Sequence, residues 1–246
     1  MPGEICKAED GAHRSRAAAG ASPGDLATLL TLFSPAFPIG GFAYSHGLET
    51  AVRECRVKRA RDVERWVEVL MSRGSGWNDL VFVALAHGAV TTGDDAALAD
   101  LAELASALSG SAERRAETVG LGSAFLTAAR PWIAAAGHRL AVLEEIDAMP
   151  MPVAAGAVAA LAGLGKGDTL TAHAQNFAHS LVSAAVRLVP LGQGEWVGVI
   201  HALAPAIVGN AGRARTATLD DLGSSALVSE IAAMRHETLP TRLFRS

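Results

Sequence analysis

Arg61-Asp-Val-Glu-Arg-Trp-Val-Glu-Val-Leu70 decides the fold class. Its apolar residues Val63, Trp66, Val67 and Leu70 recur at intervals of three, four and seven, the period of one helix face. Leu98, Leu101, Ala105 and Leu108 repeat the pattern. Composition agrees with it. The 246 residues include 50 alanines, while aromatics make up 5% with a single tyrosine. Alanine is the best helix former and aromatics favour strands, so an all-α chain is expected and a β-sandwich or barrel is not.

Working outward, Thr91-Thr-Gly-Asp94 and Ser109-Gly-Ser111 supply stops and caps. A long helix is expected over 112–136, with Pro131 kinking or interrupting it. Pro150 and Pro152 open the next, and Gly163-Leu-Gly-Lys-Gly-Asp168 closes it. Phe177, Leu181, Ala184, Ala185 and Leu188 mark the face of another helix, and Trp196, Val199, Ile200, Leu203 and Ile207 that of the one after. A last helix is expected near 219–234. Upstream, Asp25 would cap a short helix to Phe33. Ser34-Pro-Ala-Phe-Pro-Ile-Gly-Gly41 breaks it, and a second helix would run from Phe42 to Glu54. The sum is a single compact all-α domain of about nine or ten helices over 25–234, with short connections. Residues 1–24 lack a hydrophobic period and read as a mobile leader, and residues 235–246 read as a tail.

With 21 basic and 25 acidic residues the net charge is −4, which gives no footprint for nucleic acid. Cys6 and Cys55 cannot make a disulfide framework. The charged start MPGEICKAEDGAHRSR has no apolar run of the signal-peptide kind, so the chain reads as cytoplasmic. Ala148–Gly165 and Trp196–Gly212 are uncharged, which raises the alternative of a small Ala/Gly-rich membrane protein. Both contain proline and are dominated by residues of small transfer energy; buried helices of a bundle explain them better.

The motifs that would carry chemistry fail on their own terms. Ala43-Tyr-Ser-His-Gly47 resembles a nucleophile elbow, but Phe-Pro-Ile-Gly-Gly before it cannot form the strand an elbow requires. On the expected helix, Ser45 and His46 would also lie about 100° apart, too far for the histidine to serve as base. Gly163-Leu-Gly-Lys166-Gly lacks the first glycine and the hydroxyl of a phosphate loop. His173 and His179 are six apart, on different helix faces, and His87, His138 and His201 are isolated, as hydrogen-bonded structural histidines are. His46 precedes Glu49 by three, compatible with a transient metal contact or with a polar interface.

Two segments remain. Phe33–Glu49 holds three of the seven phenylalanines and the only tyrosine, beside prolines and glycines that fix backbone shape. It is either a rigid inter-helix loop or a partner surface with aromatic anchors. Arg235-His-Glu-Thr-Leu-Pro-Thr-Arg-Leu-Phe-Arg-Ser246 carries arginines and the Leu243-Phe244 pair without a helical period. It is equipped to dock, on its own domain or on a partner.

Ser34-Pro-Ala-Phe-Pro-Ile-Gly-Gly-Phe-Ala-Tyr-Ser-His-Gly-Leu-Glu49 resembles the N-terminal signature of the UreF family of urease accessory proteins. Arg187-Leu-Val-Pro-Leu-Gly-Gln193 and Met234–Ser246 resemble later segments of the same family, in the same order. The resemblance implies an all-α, dimeric protein without catalytic activity. It would join UreD (UreH in some organisms) to the GTPase UreG and load nickel into apo-urease. GTP would be bound by the partner, and this chain would hold no stable cofactor, although Ni(II) could pass through it transiently. An alternative role is a GTPase-activating protein that lends an arginine to that partner. Carried over residue by residue, Phe37, Pro38, Gly40, Gly41, Tyr44, Ser45, His46, Gly47 and Glu49 fall at or beneath the dimer and GTPase surface. Glu237, Arg242, Leu243, Phe244 and Arg245 would meet UreD, with Gln193 near them. No firm metal ligand is implied; His46 and Glu49 are the transient candidates. Neither nucleic acid nor membrane is an expected partner.

Overall fold

The computed structural model describes residues 20–246. The expected leader therefore lies outside the described residues up to position 19. Eleven α-helices are present among the described residues, and no strand. They are α1 (Pro23–Leu32), α2 (Leu48–Arg53), α3 (Ala60–Arg73), α4 (Ser75–Thr92), α5 (Asp95–Ala107), α6 (Ala112–Ile133), α7 (His138–Glu145), α8 (Met151–Leu161), α9 (Lys166–Leu188), α10 (Gln193–Ala214) and α11 (Leu227–His236).

The uncharged segment that raised a membrane reading is the centre of the fold. In α8 every residue from Met151 to Ala159 is buried. The helix packs between α4 and α6, and its alanines let neighbours approach closely. Gly156 is the extreme case: a Cβ there would sit 2.4 Å from the Val83 carbonyl oxygen of α4. Around this axis α9 and α10 form an antiparallel pair against α3, α4 and α8. Phe125 of α6, fully buried, receives Phe33 and Phe37 at centroid distances of 6.1 and 5.4 Å. Among the described residues, no helix is long and apolar enough to cross a membrane.

Several boundaries differ from the sequence expectation. The cap of α1 is Ser22, not Asp25; Asp25 stands three residues in and returns its carboxylate to the Ser22 amide, completing a capping box. The expected helix over 42–54 shrinks to α2 after a single 3₁₀ turn at Gly41–Ala43. His46 and Gly47 both take positive φ, 51° and 75°, and two left-handed residues in succession stop helical propagation. The last helix begins at Leu227, because Gly223-Ser-Ser225 carries no regular structure after a 3₁₀ turn at Leu219–Asp221, and it ends at His236 rather than Met234. Helix α7 was not signalled by any period. The helix expected to reach 136 is interrupted after Pro131: α6 ends at Ile133, and Ala134–Ala136 follow as a 3₁₀ turn.

Candidate functional site

The signature loop and the tail, which enclose nearly the whole domain in sequence, meet at one place. The loop leaves α1 through Ser34–Gly40, turns at Gly41–Ala43 and enters α2 at Gly47. Gly47 is required there twice over. Its φ of 75° disfavours a side chain, and a Cβ would lie 2.7 Å from the Ala233 nitrogen of α11, which packs directly against it. This contact places α11, and with it the start of the tail, over α2.

Glu49 then takes hold of the tail. Its carboxylate is 1% exposed and accepts the amides of Leu243 at 3.0 Å and Phe244 at 2.9 Å, with Arg53 Nη2 at 2.8 Å. Burial alone would raise its pKa, but the two amides, His236 and Arg53 together hold it below the usual carboxylate range. His236, fully buried, lies between two carboxylates, with Nε2 3.2 Å from Glu49 and Nδ1 2.7 Å from Glu113. Each ring nitrogen thus faces a carboxylate oxygen. Glu113 also takes the Arg242 guanidinium, and Glu237 caps the start of α6 by accepting the Ala112 amide at 2.8 Å.

The end of the tail is inserted rather than laid on the surface. The Arg245 amide donates to the Ala43 carbonyl at 2.7 Å, and the Ser45 amide to the Ser246 carbonyl at 2.8 Å. The Ser45 hydroxyl donates to that same carbonyl. Ser246 Oγ donates to Glu117 at 2.7 Å. Phe244 is 3% exposed beneath the Arg187 guanidinium, 4.2 Å from its ring centroid, and Arg187 Nη2 donates onward to the Phe42 carbonyl at 2.5 Å.

Next to the tail lies a second buried polar group. Glu117 pairs with Arg114 at 2.5 Å, and Arg114, His46 and Ser246 outweigh burial to bring its pKa down to about 2. His46 Nε2 stands 2.8 Å from Arg114 Nη1 and 3.1 Å from Glu117, while Nδ1 stands 3.1 Å from Ser75 Oγ. Burial and then the Arg114 charge depress the His46 pKa, so the ring is neutral. Nε2 thus faces the Arg114 guanidinium and the Glu117 carboxylate together, and Nδ1 faces the Ser75 hydroxyl. His46 and Ser45 are not helical neighbours, as the sequence argument supposed, yet the hydrolase arrangement still fails because both side chains are engaged elsewhere.

Ser45, Gly47 and Glu49 are thus interior residues that shape the loop, and Phe37 and Phe244 are packed in the core. Tyr44 and His46 are half-buried; Pro38, Gly40, Gln193, Glu237, Arg242, Leu243 and Arg245 are exposed. The sequence reading missed Phe42, Arg187, Glu113, Arg114, Glu117 and His236. Phe42 is 73% exposed, the most open large hydrophobic side chain described, and its place inside the quoted signature was the available signal. Arg187 stands in the quoted middle segment, where only Gln193 had been singled out. His87 fits the structural reading of the histidines, bonding the Leu164 carbonyl at 2.9 Å. His173 does not, because neither ring nitrogen has a partner. Among the described residues no three His, Cys, Asp or Glu side chains are grouped to hold a metal ion.

A model of the UreF family matches residues 57–204. A protein named urease accessory protein UreF from Agrobacterium fabrum is 48% identical over 221 residues, covering 90% of this chain and 96% of its own length. One of the same name from Rhodopseudomonas palustris is 44% identical, over 90% of this chain and 93% of its own length. Urease accessory protein UreF 1 from Brucella canis is 42% identical, over 90% and 94%. The all-helical architecture, a signature loop and a tail clasped together, and near full-length identity of this order lead to one assignment: the chain belongs to the UreF family of urease accessory proteins.

Proposed function

We propose that this chain is a non-catalytic urease maturation factor, a scaffold and chaperone that joins UreD (UreH) to the GTPase UreG so that nickel is inserted into apo-urease. It works in the cytoplasm as a homodimer and binds no cofactor stably; GTP belongs to the partner. The observation that carries the reading, beyond kinship, is the clasp between loop and tail. Buried groups fix the backbone of both segments, leaving Phe42, Leu243, Arg242 and Arg245 on the outside. Rigid, externally exposed apolar and arginine side chains held by an interior polar frame are what a protein-recognition surface needs. Conversely, His46 and Ser45, the groups that suggested chemistry, are engaged in holding the frame.

The test is reconstitution in cells: urease subunits and the other accessory proteins expressed with nickel, with and without this chain. Abundant but nickel-poor, inactive urease on omission is the expected result. Unchanged nickel content and activity would remove the maturation role. Single-turnover GTP hydrolysis by the partner, with and without this chain, separates a scaffold from a GTPase-activating protein; the scaffold reading expects no acceleration.

A further inference from the structure

Behind the signature loop, between α4, α6 and α9, is a cavity of about 120 Å³. Asp79, Arg114, Glu117, His173 and Asn176 give it its polar wall, and the exposed Pro35 and Phe42 stand at its rim. Three polar atoms of this wall are buried without a partner: Nδ1 and Nε2 of His173, and Oδ1 of Asn176. His173 is 6% exposed. Asp79 faces the same cavity, half-buried and without a hydrogen bond or ion pair to the described residues, and desolvation raises its pKa to about 6. An unsatisfied buried polar group costs roughly 1–3 kcal/mol, so such a concentration in one wall needs an occupant.

The chemistry of the wall selects the occupant. Glu117 and Arg114 neutralise one another, and His46 and His173 are both held neutral by burial. Asp79 leaves the cavity with one net negative charge. An anion is thereby disfavoured, and the Arg114 guanidinium is already taken by Glu117 and His46. The unmet groups are mostly acceptors: two carboxylate oxygens, an amide oxygen and the unprotonated nitrogen of His173. Alkali and alkaline-earth ions want oxygen ligands alone, and the three-ligand grouping a transition metal needs is absent among the described residues. A compact monocation whose charge is carried on N–H donors satisfies both oxygen and imidazole acceptors.

We infer that this cavity is a binding site for a small hydrogen-bond-donating monocation, of which ammonium is the simplest member, held by Asp79 with His173 and Asn176. All of its wall residues belong to this chain, so the site is tested on the isolated chain. Thermal unfolding is followed in ammonium, potassium and tetramethylammonium chloride at equal ionic strength. Ammonium raises the midpoint by about 3 °C at ten times its Kd, and the other two salts do not. A ¹⁵N-ammonium proton signal, protected from water exchange at neutral pH, appears with the protein. Asp79→Asn abolishes both effects. Should that variant fail to fold, Asn176→Leu, which keeps Asp79 and removes the amide oxygen, weakens ammonium binding about fivefold or more. Equal midpoints in all three salts with no protected signal would mean that water alone fills the cavity, and would overturn the assignment. A signal that survives both substitutions would overturn it equally.

Discussion

Glu49, in the second helix, accepts the backbone amide of Phe244 at 2.9 Å across 195 positions of chain. The contact reads backbone, not side chain, and its partner amide at Leu243 is bound in the same way. A charged group with almost no exposure is tolerable only while those donors are present. Glu49→Gln keeps the volume and removes the charge. It lowers unfolding free energy by about 2–4 kcal/mol and releases the tail. Hydrogen exchange checks the second half: amide protection at Leu243 and Phe244 is lost while that of α8 is kept at low denaturant.

Truncation separates the tail from the helix that carries it. A cut after Met234 removes His236, which is fully buried between Glu49 and Glu113, and so damages the domain itself. A cut after Thr241 leaves α11 intact but strips donors from Glu49 and Glu117. The shorter deletion remains folded with a midpoint lower by several degrees; the longer one is largely unfolded at the same temperature. Equal melting of the two proteins would show that His236 contributes nothing.

Glycine substitutions distinguish conformational cost from collision. Gly40 has a φ of 78° with open space around a would-be Cβ, whereas Gly47 has a similar φ and the α11 backbone at 2.7 Å. Gly40→Ala costs about 1–2 kcal/mol, the left-handed penalty alone. Gly47→Ala costs at least about 4 kcal/mol, because α2 and α11 must separate. Chemical denaturation of the two variants measures the difference.

Acid has two opposed effects in the cavity. Burial lowers the His173 pKa from 6.5 to about 4, so stability present above pH 6.5 is lost progressively as pH falls to about 4. Burial raises the Asp79 pKa from 3.8 to about 6, so stability is gained as pH falls from about 6 to 3.8. Each effect is on the order of 3 kcal/mol at most, less for the partly exposed Asp79. Between pH 4 and 6 the Asp79 gain offsets part of the loss from His173 and from His46, whose pKa is also lowered. Asp79→Asn steepens the fall in stability as acid is added, and His173→Gln flattens it. Parallel profiles for all three proteins would contradict the opposition.

Phe42 and Tyr44 lie two residues apart with different exposures. Phe42, 73% exposed, is replaceable by alanine within about 0.5 kcal/mol of stability, and its loss is felt in partner binding, by about 2 kcal/mol if it is a central anchor. Tyr44→Ala disturbs stability and binding together, because the ring is half inside. Calorimetric melting alongside pull-down of the maturation partners tells them apart.

Helix identity was legible wherever an apolar period met a polar face, as in Val63–Leu70, and the Ala-rich Val153–Ala159 stretch was legible as buried bundle core from its lack of charge. The start of α2 was not legible, because the left-handed turn at His46 is imposed by α11 pressing on Gly47, a contact more than 180 positions away in sequence. For the same reason the tail's choice of its own domain could not be read from its composition. Its partners are a carboxylate in α2 and another in α6, each looking in sequence like an ordinary surface glutamate of an amphipathic helix. His173 misled for the opposite reason: a buried histidine is normally bonded, and only coordinates reveal one that is not.

The clasp of Ser45 with Ser246 joins positions 201 apart, a loop closure whose entropy cost is lowest once the helices between them are arranged. Interactions made after the rate-limiting step of folding leave the folding rate unchanged and slow the reverse reaction. The tail is in that sense a device for the lifetime of the native state: removing it shortens the time a molecule stays folded far more than it delays the folding of the next.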